Sequence, residues 1–237
     1  MLADKTEVIG LIPARGGSKG IKNKNIIDLN GQPMMSYTIN AALESKKIDQ
    51  VWVSSDDPFI CEIARKAGSN VMTRPENLAD DSANATSVVE HFLGSLSERA
   101  ISRDAVIVYL QPTSPLRTAT HIDSALAMLE QVGSKALVSV RKSSVSPYKA
   151  LRLDENNLLE SLFEEHLSNS NRQDLPDCYF PNGAIYAFLV SEFKSRGGFP
   201  TNGACPFLMS DDDSVDVDSF EDLEKIREIM GEKNGEF

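Results

Sequence analysis

No segment limits what this chain can fold into more than Ile9 to Asn25. The apolar run from Val8 to Pro13 reads as a buried strand. It empties into a loop with glycines at 16, 17 and 20 and cations at Arg15, Lys19, Lys22 and Lys24. Glycines let successive backbone N–H groups turn toward an anion, and the cations neutralise it. The carboxyl end of a strand is also where open α/β sheets bind their ligands. The pattern predicts an α/β fold whose first loop binds phosphate; an exposed basic turn is the plainer alternative. Neither the Walker spacing G-x-x-x-x-G-K-S/T nor the dinucleotide fingerprint G-x-G-x-x-G occurs here. A P-loop NTPase and a nicotinamide-dependent oxidoreductase are both disfavoured on that ground.

Strand-like and helix-like segments alternate onward to about residue 140. Pro33 stands at a helix start, followed by Met34, Met35, Ile39, Ala42 and Leu43 at close to helical spacing. Val51–Ser54 reads as a strand, Asp57-Pro58 as an N-cap and first helical residue, and Gly68 as that helix's stop. A strand at Val71–Thr73, a helix from about Ser82 to Leu96, a strand at Ala105–Leu110, a helix through Ile122–Leu129 and a strand at Ala136–Val140 complete the series. Such alternation predicts a mostly parallel, doubly wound sheet with helices on both faces and right-handed crossovers. The rhythm breaks between about 143 and 180, a polar stretch read as an insertion or arm within a single domain spanning 1–237. It resumes with a strand at Ala184–Val190, and Val215–Asp218 leads into a helix over 219–230. Phe220, Leu223, Ile226 and Ile229 share that helix's core face, and Ser219 with Asp222 gives its start signal.

Composition narrows the function. With 237 residues and 41% hydrophobic content the chain can bury a real core. No apolar run approaches the ~20 residues of a membrane helix, so no membrane partner is expected. The opening MLADKTE has no apolar h-region, so no secretory signal is expected. Cys61, Cys178 and Cys205 lie far apart without C-x-x-C. That fits a reducing cytoplasm better than a disulfide framework or structural zinc. A formal charge of −11 argues against nucleic acid as the main partner. An acidic protein that binds a triphosphate must gather cations locally or recruit a metal.

Four further segments carry chemistry. Arg74, after the short strand, offers five donors that could read a pyrimidine carbonyl, or it is a surface arginine. Gln111, in L-Q-P-T-S-P-L-R, follows the strongest strand in a turn made rigid by two prolines, which could serve a sugar or simply be a loop. Asn182 and Tyr186, in P-N-G-A-I-Y, could wall a hydroxylated acid, or mark a turn entering a core strand. Asp216 and Asp218, in S-V-D-V-D, point to one face if that segment is extended, and two close carboxylates are best reconciled by a cation. The neighbouring Asp211-Asp212-Asp213 run reads as a solvated acidic turn.

R-G-G-S-K-G followed by K-N, with these segments in order, resembles the CMP-sialic acid synthetases (acylneuraminate cytidylyltransferases) over nearly the whole chain. The resemblance implies a Rossmann-like nucleotidyltransferase fold. It also implies transfer of CMP from CTP to a nine-carbon 2-keto sugar acid, releasing pyrophosphate. Legionaminic, pseudaminic and 3-deoxy-octulosonic acids are the alternative acceptors, and a nucleotide-binding regulatory module without turnover is the rival class. By resemblance, Arg15, Gly16, Ser18, Lys19 and Lys24 hold the triphosphate, with Arg15 and Lys24 aiding departure of pyrophosphate, and Asn25 positions the nucleotide. Arg74 and the backbone at Ala83 face cytosine. Some relatives carry serine just after Ala83, where this chain has Asn84 and Ala85, so side-chain contacts to the base there stay unassigned. Gln111, Asn182 and Tyr186 face the sugar, and Arg172 falls where the family engages the sugar carboxylate. Asp216 and Asp218 would bind Mg²⁺, with Mn²⁺ as the alternative ion, and Asp218 is the candidate base. The arm would serve a homodimer and carry Lys149 into the partner's sugar pocket.

Overall fold

In the computed structural model, residues 6–18, 20–78, 84–96, 102 and 104–234 are described. In chain order the strands are β1 (Val8–Pro13), β2 (Asp28–Leu29), β3 (Gln32–Pro33), β4 (Gln50–Ser55), β5 (Asn70–Thr73), β6 (Val106–Tyr109), β7 (Ala136–Lys142), β8 (Leu151–Leu153), β9 (Leu159–Ser161), β10 (Tyr179–Leu189) and β11 (Cys205–Leu208). The helices are α1 (Met34–Leu43), α2 (Pro58–Lys66), α3 (Ala85–Ser95), α4 (Ala119–Val132), α5 (Glu165–Asn169), α6 (Val190–Arg196) and α7 (Phe220–Asn234).

Seven strands form one sheet in the order β11-β7-β10-β6-β1-β4-β5. The β1–β4, β1–β6, β4–β5 and β7–β11 pairs are parallel, and β10 alone runs against its neighbours β6 and β7. Side-chain alternation along β1 divides the interior. Val8 and Ile12 enter a core with α1, α2 and α4, while Ile9 and Leu11 enter one with α3 and α6. β6 does the same with Val106 and Val108 against Ile107 and Tyr109. A strand covered on both faces must be apolar throughout, and this is why these runs lack polar alternation.

Local signals set the helix ends. The Asp57 carboxylate accepts from the backbone N–H of Phe59 and Ile60, with Pro58 at the first helical position. Asn84 caps α3 through the Ser87 N–H, and Thr118 with His121 closes a reciprocal capping box on α4. The predicted helix start at Ser82 lies outside the described residues. A third core joins α7 to the first loop, packing Leu223, Ile226 and Ile229 against Ile21, Leu29, Met34 and Val217.

One expectation needs correction, and two segments add to the sequence reading. Phe220, placed on the core face of the last helix, is 59% exposed, because it starts the helix one turn before the face that meets the core. Val215–Asp218 leads into the last helix as expected but as an irregular segment, tied to the loop after β6 by Val217 N–H donating to Thr113 O at 2.9 Å. The edge strand β11 went unread because only Cys205 and Phe207 are buried and Pro206 interrupts its donors. The stretch 143–178 holds the β8–β9 hairpin and α5 and leaves Leu153, Leu158, Leu159 and Phe163 exposed.

Candidate active site

The chain runs from β1 outward to β4 and β5, then returns to β6 on the other side of β1. The loops after β1 and β6 therefore diverge, and a crevice opens at the carboxyl edge of the sheet, the topological switch point. A cavity of about 420 Å³ occupies it, lined by Arg15, Ser18, Lys24, Asn25, Arg74 and Asp218 among others. A second of about 590 Å³ adjoins it, lined by Asn182, Tyr186 and Asp216, and Gln111 lines both.

The first loop is braced from within. The buried Asn25 side chain donates Nδ2–H to Arg15 O at 2.8 Å. Its amide thus shapes the loop while the residue lines the cavity. Gly16 N–H donates to Asp56 Oδ1 at 3.1 Å, and a Cβ on Gly16 would stand 2.7 Å from Asp57 Oδ2. Glycine is required there because the loop leans on the cap of α2. Asp56 Oδ1 also lies 3.9 Å from Arg74 Nη2. Arg74 is 5% exposed, its Nε has no hydrogen-bond partner among the described residues, and burial pushes its pKa down. A buried guanidinium that lines a cavity suits recognition of a carbonyl.

The acidic segment closes the crevice. Lys24 Nζ donates to Val217 O at 2.8 Å and to Asp218 Oδ1 at 3.0 Å, which fixes S-V-D-V-D against the first loop. Asp218 thereby faces the first cavity, and Asp216 the second. Burial raises the Asp216 carboxyl above the usual range, with the Asp218 charge adding to the rise, and Asp216 Oδ1 is buried without a partner among the described residues. No group of three His, Cys, Asp or Glu side chains among the described residues could hold a metal alone. Mg²⁺ needs fewer: it is commonly held by one or two carboxylates, waters and substrate phosphates. The orphaned oxygen and the all-oxygen donor pair fit that ion.

In the second cavity Asn182 is a structural hub. Its Oδ1 accepts from Ser139 Oγ at 2.6 Å and its Nδ2 donates to Ser214 Oγ at 2.8 Å. Gly183 has φ +79°, and a Cβ there would overlap the Gln111 side-chain oxygen. Tyr186 meets Tyr109 edge to face with ring centroids 6.3 Å apart. Tyr109 lines the first cavity and Tyr186 the second.

Other expected residues lie elsewhere. Arg172 lines a separate cavity of about 300 Å³ in the arm, and Lys149 is exposed on the arm and lines neither crevice cavity. Lys19 and Ala83 lie outside the described residues. Sequence reading also missed Arg117, Arg141 and Lys225. Arg117 is fully buried, and desolvation lowers its pKa to about 9. Its Nη1 donates to Gln111 O at 3.1 Å and Ala184 O at 2.8 Å, joining the loop after β6 to β10. Its place at the end of L-Q-P-T-S-P-L-R was the available signal. Arg141 and Lys225 line the second cavity from β7 and α7 and belong to no motif.

A doubly wound sheet with a basic glycine loop and an acid pair at its switch point defines an open α/β protein with its crevice at the carboxyl edge of the strands. The chain belongs to the cytidylyltransferase family, whose model matches residues 9–233. It is 34% identical over 232 residues to an N-acylneuraminate cytidylyltransferase from Escherichia coli, covering 97% of this chain and 54% of that one. The chain thus spans about half the length of that relative. It is 36% identical over 225 residues to a pseudaminic acid cytidylyltransferase from Campylobacter jejuni, covering 90% of this chain and 92% of that one. Its fold matches a CMP-2-keto-3-deoxy-manno-octonic acid synthetase solved with CTP, at a TM-score of 0.68 and 17% identity, covering 96% of this chain and all of the other.

Proposed function

We propose that this protein transfers CMP from CTP to a nonulosonic acid, giving the CMP-sugar and pyrophosphate. The observation that carries the reading is the pair of adjoining cavities that share Gln111 and have Asp218 in one and Asp216 in the other. Such a site holds a nucleotide and a polar acceptor side by side. The anomeric hydroxyl of the acid attacks the α-phosphorus, the bond to the β-phosphate oxygen breaks, and pyrophosphate leaves. Alignment and charge stabilisation supply most of the rate. Arg15, Ser18, Lys19 and Lys24 hold the triphosphate and take up charge on the leaving group, while Arg74 and the backbone at Ala83 face the base. Gln111, Asn182 and Tyr186 shape the acceptor's side.

Asp216 and Asp218 would hold Mg²⁺, or Mn²⁺ in its place. When bound, the ion supplies charge neutralisation at the α-phosphate and lowers the pKa of an oxygen it contacts. Asp218, which faces the nucleotide cavity beside Lys24, is the candidate base. We read residues 1–237 as one domain with an arm. The exposed leucines of the arm support a homodimer, since patches of this kind mark interaction surfaces. In that assembly Arg172 and Lys149 would serve the neighbouring subunit's acceptor cavity.

The relatives name both sialic-type and pseudaminic acids, so the acceptor must be read by assay. The protein is incubated with CTP and Mg²⁺ and, separately, N-acetylneuraminic, legionaminic, pseudaminic and 3-deoxy-octulosonic acids, and products are identified by mass. A CMP adduct of one nine-carbon acid is expected. CTP binding without any adduct would favour the regulatory-module reading.

A further inference from the structure

The reaction proposed above needs one nucleotide held at two places, its triphosphate at the first loop and its base at Arg74, and the inference that follows rests on that reading. The two places leave different strands. β1 ends at Pro13 and β5 at Thr73, with β4 between them in the sheet. Ala14 N–H donates to Ser54 O at 2.9 Å and Arg74 N–H to Ser55 O at 2.9 Å, so both outgoing segments stay tied to the end of β4. Asp56 is the first residue past that end.

Its carboxylate reaches both ways. Oδ1 accepts from Gly16 N–H at 3.1 Å on one side and lies 3.9 Å from Arg74 Nη2 on the other. Asp57, the next residue, is committed to the cap of α2, and Asp56 itself lines neither crevice cavity. The contact with Asp56 is the one ion pair of Arg74 among the described residues. A guanidinium only 5% exposed needs such a counter-charge, since a buried charge without one is strongly destabilising. Burial lowers the Arg74 pKa, the Asp56 carboxylate opposes that fall, and the like charge of Arg15 adds to it. Arg15 and Arg74 both line the nucleotide cavity, so Asp56 offsets at Arg74 a repulsion between two cations that the site needs together.

We propose that Asp56 is a positioning residue that couples the two ends of the nucleotide site: one carboxylate oxygen holds the phosphate loop at Gly16 and sets the Arg74 guanidinium for the base. Base and triphosphate are then held at one fixed spacing, and loss of the carboxylate loosens both ends together. An amide in its place keeps an acceptor for Gly16 N–H and loses only the charge toward Arg74.

Calorimetric binding of CTP, cytidine and tripolyphosphate to Asp56→Asn, Asp56→Ala, Arg74→Ala and the Asp56→Asn, Arg74→Ala double variant separates these roles. Cytidine reports the base end, and tripolyphosphate with Mg²⁺ the phosphate end. In Asp56→Asn cytidine should bind about 10-fold more weakly, while tripolyphosphate keeps its wild-type affinity within about two-fold. In Asp56→Ala both should weaken, by about 5-fold or more. In the Arg74→Ala background, Asp56→Asn should change the Kd of CTP by no more than about two-fold, because the side chain it acts through is gone. A carboxylate that only supports the fold would lower all three affinities alike, and would do so in either background. The proposal is overturned if Asp56→Asn binds cytidine as the wild type does, or if it weakens tripolyphosphate as much as cytidine. Wild-type protein that binds no CTP would defeat the underlying function, and this inference with it.

Discussion

At Asp216 a single carboxylate sets stability against function. Burial raises its carboxyl in the folded state, so the native protein holds that proton more tightly than the unfolded chain does. Its stabilising contribution is present below the unfolded value and is lost as pH rises through the folded one, where the buried group ionises. Asp216→Asn is therefore expected to raise the melting temperature of the ligand-free protein at pH 7, and the gain should vanish toward acid; calorimetry across pH checks both. Gly183 makes the opposite case. Alanine there meets a left-handed backbone and the Gln111 side chain at once, so Gly183→Ala should cost roughly 1–3 kcal/mol in denaturant titration and raise the acceptor's KM. The glycine loop and the acid pair could be read from the sequence because their chemistry is local. Arg141 could not, since only the register of β7 on β10 brings it to Asn182.

Among the elements, α7 does more than close the fold. Ile226 is fully buried, and its cluster contains Ile21 from the first loop and Val217 from the acidic segment. Ile226→Ala should cost about 2–5 kcal/mol. Leu126→Ala, in the core between α4 and the sheet, should cost a similar amount. Only the first should also raise the KM of CTP, because only it loosens the contact that holds Lys24 against Val217. Equal KM values in the two variants would count against this link. The long parallel strands and the caps Asp57 and Thr118 were legible because apolar runs and capping residues act within a few positions. The reversal of β10 was not, because strand direction depends on the path of the arm between β7 and β10. Phe220 was misread because helical periodicity gives a face but not the residue at which the partner surface begins.

For the whole molecule, the arm and the crevice are the two features that a single subunit leaves open. No helix among the described residues is long and apolar enough to cross a membrane. The exposed leucines at 151, 153, 158 and 159 gather on the arm, and apolar patches of this kind mark interaction surfaces. Charging that surface with Leu153→Asp and Leu159→Asp should convert the proposed dimer to monomers in sedimentation while leaving the melting of the main sheet little changed. The account rests most heavily on the acid pair standing between the two cavities. Its most direct test is turnover of Asp216→Ala and Asp218→Ala, measured beside CTP affinity by calorimetry. The expectation is a kcat loss of about 10²-fold or more in each, with the Kd of CTP changed only a few-fold. Near-normal turnover in Asp216→Ala would contradict it.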